Sequence, residues 1–469
     1  MDSALPSPSS KIQKLVKGQD DGEDKDIISK LPDCILHYIL SFLPTKDAIR
    51  TSVLSTKWEY LWTGMSNFDF DADLCCQKMN NLNLELGTWY FKLVDRVLFR
   101  DSAHIQKLRL AFSMPVNVLR PFFWVYHAVK HNVQELDLSL PFRKAILLPR
   151  SLFTSKSLST LKLTMECVLK VPSSICFSGL AILHLSHVTF LDDQSCQQLF
   201  SGCPVLQELV LYSCGWKNIK SITISIPTLR KLTIQDCPLG PDDLLDSEIK
   251  IYAIDLISLR CQTYLTVDFS FCNLSSLVYA FVDVTNWGSS LSRAASRAVK
   301  LLAGVQGVKS LRISNETLRC VSHAENFLAH LPTFHNLTHL EVYEYNPDEY
   351  THETLMDILQ KSPSLKSLDI PEGLDPDTCL IGEDWILNSV PHCLRSCLQE
   401  FSISTFNGKV AEIELLKYLL KNATILERMM IFCSETLAAD LKKQEEISNQ
   451  LQMLHEGLVK LHNRVLVKL

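Results

Sequence analysis

Residues 304–310, GVQGVKS, place two glycines ahead of a Lys-Ser pair in the manner of a phosphate loop. Two further pairs, His335 with His339 and Cys393 with Cys397, have the four-residue spacing at which a helix could offer two metal ligands, and Cys75 adjoins Cys76. Each falls short of its chemistry. A phosphate cradle needs four residues between its glycines and a Gly-Lys-Ser/Thr ending at a helix start, so that backbone N–H groups converge on the anion. Here the gap is too short, and Val308, Leu311 and Ile313 alternate as a strand would. The two histidines flank a predicted strand without the acidic neighbour of a zinc hydrolase, and neither cysteine pair has a second Cys or His pair at zinc spacing. No Gly-x-Ser-x-Gly elbow or Gly-x-Gly-x-x-Gly turn is present. The expectation is a chain with no catalytic residues, no metal site and no cofactor, whose chemistry is binding.

Composition agrees. With 46% hydrophobic and 21% charged residues the 469-residue chain is an ordinary folded protein, and its net charge of −6 argues against a nucleic-acid partner. No apolar run approaches the roughly 18 residues of a membrane helix, and the amino terminus lacks a signal peptide's apolar core, so no membrane is expected and the location is cytoplasm or nucleus. The 16 cysteines are then expected to remain thiols. Residues 1–25 combine Ser-Pro steps, spaced lysines and an acidic cluster, the composition of a disordered arm.

The strongest binding signal is LPDCILHYILSFLPTKDAIRTSVLSTKWEYLW, residues 31–62. Pro32 suits the first position of a helix, and Ile35, Leu36, Ile39, Leu40 and Leu43 follow on one stripe until Pro44 ends it. Thr45 can cap a second short helix and Ser55 a third, carrying Trp58, Leu61 and Trp62. Of these 32 residues 17 are hydrophobic, whereas a unit below about 40 residues seldom folds without help. It needs a cover, from this chain or another.

In its order of features (Leu-Pro, the Ile-Leu-x-x-Ile-Leu helix, Leu-Pro-Thr-Lys-Asp, Thr-Ser-Val-Leu-Ser-x-x-Trp, a final Leu-Trp) the segment 26–62 closely resembles an F-box. The resemblance implies docking on the small Skp-type adaptor of an SCF (Skp, cullin, F-box) ubiquitin ligase, and through it on a cullin scaffold. It further implies that the interface buries Leu31, Pro32, Ile35, Leu36, Ile39, Leu40, Leu43, Pro44, Val53, Leu54, Trp58 and Trp62, all of them open until the adaptor arrives. Trp anchors suit such a role, since that residue type dominates binding energy at interfaces.

Behind this segment a pattern apolar-x-x-Leu-x-apolar recurs, with lead residues Leu108, Leu136, Leu161, Leu183, Leu209, Leu232, Leu259, Leu277, Leu311, Leu340, Leu368 and Phe401. Twelve occurrences over 293 residues give a mean step of about 27, within the 20–29 of leucine-rich repeats. The steps on either side of Leu277 are the least regular. Each Leu-x-Leu reads as a short strand with its leucines inward, and stacking gives a curved solenoid with one parallel sheet. Cys214 and Cys237 occupy the position at which these repeats turn a small side chain into the core.

The side chains alternating with the leucines face outward, and a target protein is expected to bind among Arg109, Asp137, Lys162, His184, Tyr212, Arg260, Arg312, Glu341 and Tyr343, beside Lys107, Glu135, Lys231 and Asp369. Phe91, Val94, Val97 and Leu98 lie at helical spacing ahead of the first repeat, as an amino-terminal cap would. Residues 385–433 resemble the FBD domain that follows such repeats in many plant F-box proteins, through Val390-Pro391, Cys393-Leu394, the strand at Phe401, Gly408, the helix from Glu412 to Leu420 and Leu426-x-x-Met429. After it Ile447, Leu451, Leu454, Leu458, Leu461 and Val465 form a helical seam. That seam could pair two chains, but it lasts fewer than three heptads, and a helix folded back on the repeats suits its length better.

The expected fold class is therefore α/β: a small three-helix F-box at 26–62, a linker and cap helix at 63–103, leucine-rich repeats at 104–384, an FBD-type cap at 385–433 and a helix at 434–469. The function that follows is a non-catalytic substrate receptor of a ubiquitin ligase, and its rival a protein-binding scaffold attached to no ligase. The target is left open, because fold does not dictate ligand.

Overall fold

The computed structural model describes residues 27–71, 84–99, 104–112, 119–140, 148–216, 218–236, 247–285, 291–324, 327–343, 349–372, 390–447 and 465–468. The arm at 1–25, Cys75, Cys76, Cys237 and the seam residues Leu451 to Leu461 lie outside these. The chain divides into two compact units, Met1–Met65 and Ser66–Leu469.

In the first unit, helices Asp33–Leu40 and Thr45–Arg50 are each entered through a proline, Pro32 and Pro44, held extended as the N-cap rather than as the first helical residue. A locked φ and a missing N–H fit both places. The third element is not a full helix: 3₁₀ turns at Thr51–Val53 and Leu61–Gly64 bracket a turn over 56–60. Gly64 lets the last of these lie against the first helix, since a Cβ there would come within 2.5 Å of the His37 ring.

The second unit is built on strands β1 (Asn67–Asp71), β2 (Lys107–Ala111), β3 (Glu135–Ser139), β4 (Thr160–Leu169), β5 (Ile182–Phe190), β6 (Glu208–Tyr212), β7 (Ser221–Ser225), β8 (Lys231–Gln235) and β9 (Glu248–Tyr252). They continue with β10 (Ser258–Thr263), β11 (Asp268–Cys272), β12 (Tyr279–Val284), β13 (Ser310–Ser314), β14 (His339–Tyr343), β15 (Ser367–Ile370), β16 (Glu400–Phe406), β17 (Arg428–Cys433) and β18 (Val465–Lys468). Fifteen form one parallel sheet in the order β1-β2-β3-β4-β5-β6-β8-β10-β12-β13-β14-β15-β16-β17-β18. The lead positions stack in register from Phe68 through Leu108, Leu136, Leu161, Leu183, Leu209, Leu232 and Leu259 to Ala280, Leu311, Leu340, Leu368, Phe401 and Met429.

The same backbone device closes successive steps. The carbonyl of Gln106 accepts from both Gln134 and Glu135, that of Gln134 from Ser159 and Thr160, and so on to Gln399, which accepts from Glu427 and Arg428. No single repeat can satisfy its own strand in this way, so neighbouring repeats stabilise one another. The lead residues and the apolar residue two places on, among them Leu110, Leu138, Leu163 and Leu185, are buried.

In this second unit five features depart from the sequence expectation. The lead residue of the irregular repeat is Ala280, not Leu277: Val278 and Tyr279 both donate to the Ile257 carbonyl, which fixes the register and gives steps of 21 and 31 residues. The sheet begins at β1, so the helix Leu84–Leu98 connects two strands instead of capping the first. There are two sheets, because β11, β9 and β7 pair separately in that order. Their Ile222, Ile224, Ile249, Ile251 and Phe269 enter the core, and the edge N–H of Thr223 donates to Gln197 on the helix Asp193–Ser201.

The remaining two lie at the carboxyl end. Strands β16 and β17 extend the repeat ladder, so 390–433 is continuous with the sheet. The chain after Cys433 is helical at Glu435–Ala438 and 441–447, but Val465 opens β18, which pairs along β17. Val-Leu-Val suits a pleated edge better than a helix.

Candidate functional site

Two surfaces carry the candidate residues, one on each unit. On the first, the structure divides the twelve expected adaptor contacts. Pro32, Ile35, Ile39, Leu43, Pro44, Val53 and Leu54 are exposed and Leu31 is half-buried, whereas Leu36, Leu40, Trp58 and Trp62 are buried. The helix Asp33–Leu40 thus has apolar residues on two sides, because Leu36 and Leu40 point inward while Ile35 and Ile39 stand on another face. Trp58 is held by polar contact as well as packing, its indole N–H donating to Ser29 Oγ at 2.8 Å. The Lys57 ammonium donates to the Leu31 carbonyl at 2.8 Å and tethers the chain ahead of the first helix.

The open face holds residues the sequence argument missed. Tyr38 and Phe42 are 64% and 70% exposed and pack edge to face, 4.8 Å between ring centroids. With Ile35 and Ile39 they follow the i, i+3, i+4, i+7 spacing of one helical stripe, beside Leu36 and Leu40, which turn inward. In the same unit Val53, 87% exposed, and Leu54, 65% exposed, stand out at the 3₁₀ turn, and Ile27 and Ile28 are exposed ahead of the first helix. An exposed apolar set of this size marks an interaction site rather than ordinary surface.

The second surface is the sheet face opposite the leucines. Its central row runs in register through Asp69, Arg109, Asp137, Lys162, His184, Val210, Thr233, Arg260, Phe281, Arg312, Glu341, Asp369 and Ser402. Seven of the nine expected target-binding residues lie in it. Tyr212 and Tyr343 stand two places further along their strands, and Tyr343 is buried instead of exposed, stacked on Phe281 at 5.4 Å.

Toward β1 the row is an ionic lattice. Arg109 meets Asp69 at 3.1 Å, Asp71 at 3.2 Å and Asp137 at 3.8 Å, and Lys107 meets Glu135 at 2.8 Å. Burial works against the Arg109 charge, but the three carboxylates outweigh it and raise its pKa; Asp137 is itself raised, mainly by burial, against the pull of Arg109 and Lys162. His184 lies 2.8 Å from Glu208.

Further along, Phe281 is overlooked by two arginines, Arg260 at 4.1 Å and Arg312 at 5.5 Å from its ring centre. Arg312 also lies 4.9 Å from the Tyr343 ring and 3.2 Å from Glu341. Phe281 went unnoticed in the sequence because placing the lead at Leu277 put it out of phase.

The residues that invited catalytic readings do not assemble. Gly304 ends the helix Leu291–Gly304 and Ser310 opens β13, so no phosphate cradle forms between them. His339 is the first residue of β14, and no group of three His, Cys, Asp or Glu suited to a metal occurs among the described residues. The twelve described cysteines are free thiols, and the Cys214 thiol is pushed up to about 12, chiefly by burial. No helix among the described residues is long and apolar enough to cross a membrane.

Two domain models match the chain. An F-box domain model matches residues 28–70, and the At1g61320/AtMIF1 LRR domain model matches residues 102–467. The F-box/LRR-repeat protein At4g14096 of Arabidopsis thaliana is 30% identical over 448 residues, 92% of this chain and 92% of the relative. The F-box/FBD/LRR-repeat protein At3g52680 of the same plant is 30% identical over 453 residues, covering 94% and 92%. The FBD-associated F-box protein At5g38590, also from that plant, is 30% identical over 458 residues, covering 94% and 100%.

Proposed function

The chain belongs to the plant F-box/leucine-rich-repeat family, and from that premise we propose that it is the substrate receptor of an SCF-type ubiquitin ligase. Its first unit docks on a Skp-type adaptor and thereby on a cullin. Its sheet face holds a target protein, raising the target's effective concentration near a ubiquitin-charged enzyme. Its own part in the reaction is non-catalytic.

The observation that carries this proposal is the open apolar face of Ile35, Tyr38, Ile39, Phe42, Leu43, Val53 and Leu54. Burying an aliphatic or aromatic side chain is worth roughly 1.5–3 kcal/mol, so several of these suffice for a stable complex. Leu36, Leu40, Trp58 and Trp62 act behind that face by holding its shape. We further infer that residues 385–433 are an FBD-type region, a term that two of the relatives carry in their names, and that the chain works in the cytoplasm or nucleus.

Co-purification with a Skp-type adaptor tests the proposal. The intact chain should retain the adaptor and Ile35→Asp combined with Val53→Asp should lose it. Failure of the intact chain to bind would favour the rival, a repeat scaffold attached to no ligase.

A further inference from the structure

The row on the sheet face is uneven in charge. Toward β1, Arg109 is surrounded by three carboxylates. At Arg260 the arrangement reverses. It is exposed, its guanidinium lies over the Phe281 ring, and no carboxylate among the described residues pairs with it. Lys231, one strand away on β8, is also exposed. Between His184 and Arg260 the row is filled by Val210 and Thr233, short and uncharged, and the acid nearest on that side, Glu208, stands in register with Lys231 and meets His184 at 2.8 Å.

The acids on the other side are engaged. Glu341 meets Arg312, and Asp369 accepts from the hydroxyls of Ser367 and Ser402. A guanidinium stacked on a ring keeps its N–H edge open and pre-oriented, which is the geometry for accepting an oxyanion on two donors.

We propose that Arg260, backed by Phe281 and flanked by Lys231 and Arg312, is the subsite for an anionic side chain of the target peptide, a phosphate or a carboxylate. The Phe281 ring lies 4.1 Å beneath the Arg260 guanidinium carbon, and Arg312 beside it is held by Glu341 at 3.2 Å. The proposal rests on the receptor function above, of which it specifies the target's chemistry.

The test uses the full-length chain and three fluorescein-labelled Gly-Ser peptides, bearing three phosphoserines, three glutamates or only serines, with binding followed by anisotropy at low salt. The phosphoserine or glutamate peptide should bind and the serine peptide should not. Arg260→Gln should weaken the anionic peptide at least five-fold, Arg260→Gln with Arg312→Gln further, and Arg428→Gln, on β17 outside the row and paired with Glu400, not at all. Preference between the two anionic peptides assigns phosphate or carboxylate. Equal binding by all three peptides, no binding by either anionic one, or unchanged affinity in an Arg260→Gln chain of wild-type melting temperature would overturn the proposal. Adaptor co-purification of Arg260→Gln should match wild type. If the intact chain failed to bind adaptor, the receptor function would fall while the peptide result stood by itself.

Discussion

The indole N–H of buried Trp58 donates to the hydroxyl of Ser29 at 2.8 Å, tying the start of the amino-terminal unit to its last turns. Trp58 is therefore part of the scaffold beneath the docking surface. Trp58→Ala should cost about 3–5 kcal/mol, the range for truncating a buried aromatic, and should speed amide exchange through 33–54 in the isolated chain. Trp58→Phe, which loses the hydrogen bond but keeps most of the packing, should lie between the two. Unchanged exchange in Trp58→Ala would return the residue to the surface.

Charging the open face should do the opposite. Ile35→Asp and Leu54→Asp place a carboxylate where an apolar partner is expected, and a desolvated unpaired charge is costly. Each should weaken adaptor binding more than ten-fold by calorimetry while leaving the exchange of 33–54 as it was. Tyr38→Ala and Phe42→Ala should weaken it by smaller factors, since each leaves its ring partner in place.

At the carboxyl end, Gly408 has φ +66° and its Cα faces the Ile447 side chain so closely that a Cβ would collide with Cδ1. Gly408→Ala should cost roughly 1–2 kcal/mol through the left-handed backbone alone, seen as a lower melting temperature, and should expose 435–447 to limited proteolysis. Wild-type proteolysis would show that this segment does not depend on the turn at Gly408.

Asp236 is buried at the end of β8, where its carboxyl accepts from the Thr263 and Thr266 hydroxyls, and burial raises its pKa to about 6. A carboxyl raised above its unfolded value of about 3.9 favours the folded state while protonated. Its contribution is thus complete below about pH 4 and is lost as the pH rises through about 6. Asp236→Asn should remove this loss, so that the variant gains about 1–3 kcal/mol on wild type between pH 4 and pH 7 in denaturant titrations. A pH-independent difference would contradict the assignment.

The leucine ladder was legible because burial acts on both leucines of each strand, leaving Leu-x-Leu at Leu136, Leu161, Leu183 and Leu209 as a direct record of the core. It failed at Ala280, where a small residue takes the lead position and Leu277 lies just outside the strand. Phe68 and Phe70 of β1, and the Ile-x-Ile strands β7 and β9, have the same alternation without the leucine signature. At the docking unit, sequence order identified the segment but not which apolar residues face outward. In a unit this small both sides of the first helix are greasy, and only three-dimensional packing separates Leu36 and Leu40 from Ile35 and Ile39.

Hydrogen–deuterium exchange on the full chain, with and without a Skp-type adaptor, tests the docking claim most directly. The account predicts new protection confined to residues 33–54, strongest at Ile35, Ile39 and the turn at Val53, with β2 to β17 unaltered. Protection spread over the repeat strands, or none within 33–54 at saturating adaptor, would contradict it.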